Sequence, residues 1–236
     1  MPGPFATAIL DHSRDERTAP LIQRDGEHAR EHPIEDFYFG TASPDQDRTA
    51  FLLEHLEGPL VDLGSGAGRD PLFFQQRFET VAVEVDAALV DVMRDRGVEQ
   101  AVVGDMFDLT ANFEPDRFAS ALSFGTQVGL AKSMAGLRAF FADLAVVTTD
   151  DATAVVDSYD PTHPEASELL GYRDDEAEGL ASRVMHFEYD GAVGETLLFR
   201  LFSPDRLATA AADAGWRVTT VRRAGGEHYE AVLEKD

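Results

Sequence analysis

Residues 61–70 read Val-Asp-Leu-Gly-Ser-Gly-Ala-Gly-Arg-Asp, an apolar run that breaks into glycines at 64, 66 and 68. Alternating glycines remove the Cβ atoms that keep a backbone away from a ligand, and they permit a sharp turn after a strand. The chemistry open to such a loop is the cradling of a nucleotide-like molecule. Spacing narrows the class. A dinucleotide loop runs Gly-x-Gly-x-x-Gly, and its last glycine lets the helix N-terminus approach a pyrophosphate. Here that sixth position is Arg69.

Two acidic strand ends follow. Residues 80–86 read as a buried strand with Glu84 and Asp86 near its carboxyl end. An ionised carboxylate accepts hydrogen bonds and donates none, which suits a vicinal diol. The two acids share a face, so strand direction does not choose between them. Residues 101–107 form another apolar run ending in Gly104, Asp105, Met106 and Phe107. An acid there is placed to accept from a base amino group, and Met106 and Phe107 either cover a ring or serve as core. A fourth strand, 118–123, ends at Ser123 and is followed by Phe124, Gly125, Thr126 and Gln127.

The Gly-x-Gly-x-Gly spacing after Asp62, and the order of these strand ends over residues 58–130, resemble the class I S-adenosylmethionine-dependent methyltransferases. The resemblance implies a doubly wound, Rossmann-like α/β fold whose seven-stranded sheet is mostly parallel with an antiparallel last strand. It implies S-adenosylmethionine as cofactor, cradled by Asp62, Gly64, Ser65, Gly66 and Gly68. In the family pattern the ribose acid is followed by one apolar residue and a short polar residue that opens a helix. That matches Glu84, Val85 and Asp86 in turn, with Asp86 as N-cap and second candidate for the diol. Asp105 then takes the adenine amino group, Met106 and Phe107 lie against the purine, and the loop opened by Ser123 passes the sulfonium. Segments before the glycine loop often fold over the cofactor in this family. The resemblance thus implies an N-terminal helical lid in which Phe37, Tyr38 and Phe39 line the entrance, with Tyr38 reaching the methionine carboxylate. The alternative is a helix on the sheet edge with those rings as staples.

For the acceptor, the Asn-Pro-Pro-Tyr type of loop that grips a nucleic-acid base is replaced by Ser123-Phe124-Gly125-Thr126, which favours a small molecule. Candidate pocket residues are Phe39, Phe124, Gln127, Tyr159 and Arg200. Arg200 either holds an anionic substrate or is solvated. In-line transfer to oxygen or nitrogen needs chiefly a nucleophile held close and dry. A base is an added requirement when a proton must leave. Asp157, Tyr159 and His163 stand at the end of the fifth strand, and none of them is singled out. Asp157, Asp160 and His163 also raise the question of a metal. The matching position after the fourth strand is Ser123 rather than an acid, so none is expected. Two other functions stay on the table: a methyltransferase-like protein without turnover, and a nicotinamide-dependent oxidoreductase, against which Arg69 speaks.

The surrounding elements must position these groups. A helix over 48–56 leads into the first strand. Apolar residues at 137, 140, 141, 144 and 147 predict a helix, and residues 152–157 a fifth strand. Ser203, Pro204 and Gly215 punctuate a helix over 204–215, and strands at 216–221 and 228–233 close the chain as a hairpin. Inserted between them, residues 161–202 predict a β-hairpin around Asp190-Gly191, with Met185, Phe187 and Tyr189 alternating on one side. Its apolar face covers either the active site or a subunit interface. The chain divides as a single domain over 1–236: a lid segment 1–50, a cofactor-binding core 51–160, the hairpin insertion 161–202 and a closing unit 203–236. His28 and His32, each one residue after a glutamate, read as a polar helix face.

At 236 residues the chain is long enough to bury its own core. With no cysteine, neither disulfides nor a thiolate zinc site hold it. No basic leader with an apolar run stands at residues 1–16, and no stretch reaches membrane-spanning length, so a cytoplasmic monomer or homodimer with no membrane partner is expected. The chain carries 44 acids against 20 bases, for a net charge of −24. The acids are scattered, which resembles the solvated shell of proteins from salt-accumulating halophiles such as haloarchaea, and they disfavour a nucleic acid as partner.

Overall fold

The computed structural model describes residues 2–223 and 225–235. The chain opens with α1 (Pro4–Ser13), strands β1 (Ile22–Asp25) and β2 (His28–Glu31), a π-helical turn (Glu35–Phe39) and α2 (Asp47–His55). Alternation then sets in with β3 (Leu60–Leu63), α3 (Arg69–Phe74), β4 (Thr80–Glu84), α4 (Ala87–Asp95), β5 (Ala101–Val103), β6 (Phe118–Ser123), α5 (Met134–Val147) and β7 (Thr148–Tyr159). Next come β8 (Tyr172–Asp174), β9 (Leu180–Tyr189), β10 (Ala192–Val193) and β11 (Leu197–Phe202). The chain closes with α6 (Pro204–Ala212), β12 (Trp216–Arg222) and β13 (His228–Lys235).

The central sheet has seven strands in the order β12-β13-β7-β6-β3-β4-β5. β3 to β7 are parallel, and β13 runs antiparallel to both its neighbours. A sheet buried on both faces needs strands that are apolar on both sides, and β3 meets that demand. Val61 and Leu63 pack with Phe140, Phe141 and Leu144 of α5 and Leu207 of α6, while Leu60 meets Leu52 of α2 and Phe74 of α3 on the opposite face. The chain order reverses at β3, between β4 and β6, so the crevice outside the carboxyl ends of these three strands is where such a sheet binds a ligand. Ser203 caps α6 by accepting from the Arg206 amide, with Pro204 in the first turn, as its sequence predicts. Trp216 and Tyr229 anchor the closing hairpin, the indole donating to Phe141 O at 3.0 Å and the phenol to Phe202 O at 2.8 Å.

Over the carboxyl ends lies a second, six-stranded sheet, and here the structure corrects the expected lid. Residues 22–31 form a β-hairpin, so His28 and Glu31 stand on an exposed strand rather than a helix face, and His32 is buried. Gly26, at φ +56°, makes the tight turn, and strands this short leave a four-residue spacing that fits either periodicity. β9 pairs with β1 and β8 along one edge and with β10 and β11 along the other, so the N-terminal segment and the insertion build one roof. Asp190 and Gly191, at φ +46° and +76°, form the expected hairpin turn. Among the described residues no helix is long and apolar enough to cross a membrane.

A net charge of −24 on one chain sets like charges against each other throughout this surface. Raising KCl from 0.1 to 2 M is expected to raise the unfolding temperature steadily, because screening lengths fall from about 10 Å to under about 3 Å across that range. A flat or falling melting curve would count against an acid-strained surface.

Candidate active site

The glycine loop hangs from β4. Gly64 and Ser65 donate their amides to Val83 O at 2.9 and 3.1 Å, and the Ser65 hydroxyl donates to Asp62 O at 2.8 Å. Ser65 is therefore spent on shaping the turn. Gly66, at φ +57°, donates its amide to Glu84 Oε2 at 3.1 Å, while Val85 and Asp86 amides reach Oε1 at 2.8 and 3.2 Å. Burial pushes the Glu84 carboxyl above its ordinary range, and the three amides hold it back. The Asp86 side chain accepts from Ala88 N at 2.9 Å and so caps α4, which leaves Glu84 as the acid facing the loop.

Beyond Glu84 the sheet rim is apolar and open. Val85 is 69% exposed and Val103, the register partner of Glu84, is 49% exposed, in a fold that buries most other valines. Met106 lies behind them in the core, Phe107 packs against that core, and Asp105 turns the chain by accepting from Phe107 N at 2.9 Å. Apolar surface beside a carboxylate is what a purine ring with an amino group needs.

At the other end of the loop Tyr38 roofs the glycines: a Cβ on Gly66 would lie 3.1 Å from its ring, and one on Gly64 would lie 2.9 Å from Gln127 Cγ. The Tyr38 hydroxyl meets His32 Nε2 at 2.9 Å. Burial lowers the His32 pKa to about 4, helped by the charge of Arg183, and it drives the Tyr38 phenol well above its usual range. Both rings are thus neutral at pH 7. Arg96, which the sequence left unnoticed, ties lid to loop by donating to Tyr38 O at 2.9 Å and to Ala67 O. Phe39 does not line the crevice. It is held between His12, 4.4 Å away, and the Arg96 guanidinium, as a staple on α1.

Asp62 lies on the far face of β3 from Val61, buried beneath the loop. Its neighbour Asp70 keeps its charge in a two-pronged pair with Arg48, at 2.9 and 2.8 Å. Burial first, and then the Asp70 charge, push the Asp62 carboxyl up to about 7. The Ser65 hydroxyl, Arg48 and Arg69 act the other way and favour its charge.

Across the crevice, Ser123 Oγ is buried at the end of β6 with no hydrogen-bond partner among the described residues. After it the chain takes left-handed conformations at Gly125 (φ +91°) and at Thr126 (φ +60°), where a β-branched residue is strained. Asp157, on β7, holds this strain in place by accepting from the Gly125 and Thr126 amides at 3.1 and 2.7 Å. The same carboxylate accepts from His228 Nε2 at 2.8 Å, which leaves Nδ1 as the ring nitrogen without a partner among the described residues. The imidazole stands between Phe124 and Tyr159, with ring centroids at 5.8 and 5.6 Å. Arg48 covers Phe124 at 3.6 Å, and burial raises the Tyr159 phenol.

His228 was not among the sequence candidates because it lies 71 residues from Asp157, and only the antiparallel pairing of β13 with β7 joins them. Of the other candidates, Asp160 is committed to Arg223 and Thr162, at 2.5 and 2.7 Å, and His163 caps the following turn. These two do not converge with Asp157. Arg200 is the clearest correction. Its register partner is Ser182 on the outer face of the roof, and it binds Ser182 Oγ at 3.0 Å and Asp175 at 2.6 Å, away from the crevice.

No protein-family model matches the chain, and no curated protein matches it either. Solved structures do. A SAM-dependent methyltransferase from Bacteroides fragilis, in complex with S-adenosyl-L-homocysteine, superposes with a TM-score of 0.79 at 21% identity, covering 100% of this chain and 97% of its own. The fold is that of the SAM-dependent methyltransferases. An amino pentose methyltransferase from Micromonospora echinaspora, with SAM bound, matches at TM-score 0.54 and 19% identity over 75% of this chain and 83% of its own. The glycopeptide N-methyltransferase MtfA matches at 0.57 and 18% over 80% of this chain and 88% of its own. In this methyltransferase fold, the glycine loop, Glu84 and the Asp157–His228 pair all stand at the carboxyl ends of β3, β4, β6 and β7.

Proposed function

We propose that this chain transfers a methyl group from S-adenosylmethionine to an oxygen or nitrogen of a small molecule. The observation that carries the reading is the Gly66 amide fixed on the Glu84 carboxylate, with open apolar surface on one side and Tyr38 on the other. The donor set fits that cofactor: a bare backbone where a side chain would collide, a carboxylate with one lone pair left for a ribose hydroxyl, and the buried Ser123 hydroxyl, unpartnered among the described residues. When bound, the cofactor supplies a methyl group already attached to a good leaving group.

The chain's own residues do the rest. Glu84 and Asp105 orient the adenosine, and Tyr38, kept a phenol by burial and by the charge of Glu84, offers a hydrogen bond to the methionine carboxylate. Phe124 and Tyr159 flank the acceptor and keep water out. His228 Nδ1 takes the proton of the acceptor hydroxyl or amine, while Asp157 holds the ring in that tautomer and stabilises the imidazolium that forms.

Calorimetry with S-adenosylhomocysteine tests the cofactor site. Glu84→Gln keeps the shape and removes the charge, so affinity is expected to fall about 10- to 100-fold, the worth of one charge-assisted hydrogen bond at about 1.5–3 kcal/mol. In the unaltered protein affinity is full while Glu84 is ionised and is lost as pH falls through its raised pKa. In Glu84→Gln that acid limb disappears. Unchanged affinity would move the ribose contact elsewhere. Transfer of labelled methyl into a cell extract then tests turnover.

A further inference from the structure

Arg183 lies on the inner face of the roof. Along β9 the buried residues Ala181, Arg183 and Met185 alternate with the partly exposed Ser182 and Val184, and the partner of Arg183 on β11 is Phe199, itself buried. Arg183 is only 8% exposed, and its guanidinium stands 5.5 Å from the ring of Tyr159, beside the His228 imidazole. Nε donates to Leu170 O at 3.0 Å, so the outer edge with its two terminal nitrogens is left over. Arg48, Arg69 and Arg223, around the same crevice, and Arg200 on the outer face of the roof each face an aspartate. Arg183 makes no such ion pair among the described residues, although the chain has 44 acids for 20 bases.

A buried, unpaired guanidinium is costly, and an acid-rich chain has every means of avoiding one. We propose that Arg183 holds a carboxylate of the methyl acceptor, so that the substrate is a small hydroxy- or amino-carboxylic acid lying across Tyr159 and Phe124 with its nucleophile at His228. The proposal rests on the methyltransferase reading and names the acceptor class for it. The surrounding charges agree. His32, on the Tyr38 side, is neutral at pH 7, Arg30 adds positive field, and Asp157 is fully engaged by two amides and His228. Glu227 lies within electrostatic reach but beyond ion-pair distance. One guanidinium edge matches one carboxylate fork. The nearby charges of Asp157 and Glu227 oppose a doubly charged phosphate. Tyr159, kept protonated by burial, adds a donor beside the fork.

Binding of benzoate, benzamide and phenyl phosphate to the protein saturated with S-adenosylhomocysteine tests this by calorimetry. Benzoate is expected to bind at least about tenfold more tightly than its neutral isostere benzamide, the equivalent of about 1.4 kcal/mol. That preference should vanish in Arg183→Gln, persist in part in Arg183→Lys, and persist fully in Arg200→Gln. S-adenosylhomocysteine affinity should be the same in all of them. Failure of the unaltered protein to bind S-adenosylhomocysteine overturns the methyltransferase reading itself. With that binding intact, the carboxylate proposal is overturned by equal affinity for benzoate and benzamide, by absence of benzoate binding, or by a benzoate preference that survives in Arg183→Gln. Tighter binding of phenyl phosphate than of benzoate overturns it in favour of a phosphate ester.

Discussion

Gly66→Val is expected to abolish binding of S-adenosylhomocysteine, with affinity lowered by more than about 100-fold in calorimetry. Two costs coincide at this residue. Its φ of +57° lies in the left-handed region, where a β-branched side chain is strained by about 1–3 kcal/mol. The new Cβ would also lie 3.1 and 3.2 Å from Cδ1 and Cε1 of Tyr38, tighter than ordinary contact, with the γ-methyls pushing further into the crevice. The loop and the lid must then separate, which moves the Gly66 amide off Glu84. Gly97→Val separates strain from sterics. Gly97 has φ +96° but nothing within 4 Å of its virtual Cβ, so it carries the backbone penalty without touching the crevice. Both variants should lose thermal stability, and only Gly66→Val should lose the ligand. Equal binding by the two would remove the glycine loop from the site.

The parts of this architecture that follow local rules were legible in the sequence. Glycines 64, 66 and 68 can only be explained by backbone geometry, and all three have positive φ. Asp86 followed by an apolar helix is an N-cap pattern, and the cap is present. The 3.6-residue spacing over 137–147 and the turn at Asp190-Gly191 are likewise short-range signals. What escaped depends on pairing across long separations. β1 and β2 are four residues each, too short for a period of two to stand out, and they become strands because β9 offers an edge. Arg183 and Arg200 are equivalent in the sequence of the insertion. Only the register that sets Arg183 opposite Phe199 and Arg200 opposite Ser182 decides which faces the crevice and which faces Asp175. His228 was invisible for the same reason: a lone histidine at a strand start acquires meaning from the neighbour the sheet gives it.

That neighbour makes His228→Ala the most severe single change expected at the acceptor end. A positioned base contributes about 10²- to 10⁴-fold to a proton-coupled transfer. The initial rate of S-adenosylhomocysteine formation at saturating cofactor, with acceptor from a cell extract, should fall by that order while affinity for S-adenosylhomocysteine holds. The ring is partly exposed and contributes little to the core, so the fold should survive. Added imidazole should restore part of the rate of His228→Ala, because it supplies the missing base. Asp157→Asn is expected to differ in kind. It disturbs the tautomer of His228 and puts an NH2 donor where Oδ2 accepts from the Gly125 amide, so the strained loop at φ +91° and +60° loosens and cofactor affinity falls together with rate. A His228→Ala rate within twofold of the unaltered protein, with no gain from added imidazole, would remove the imidazole from proton transfer and leave the pair as a brace for the β6 loop.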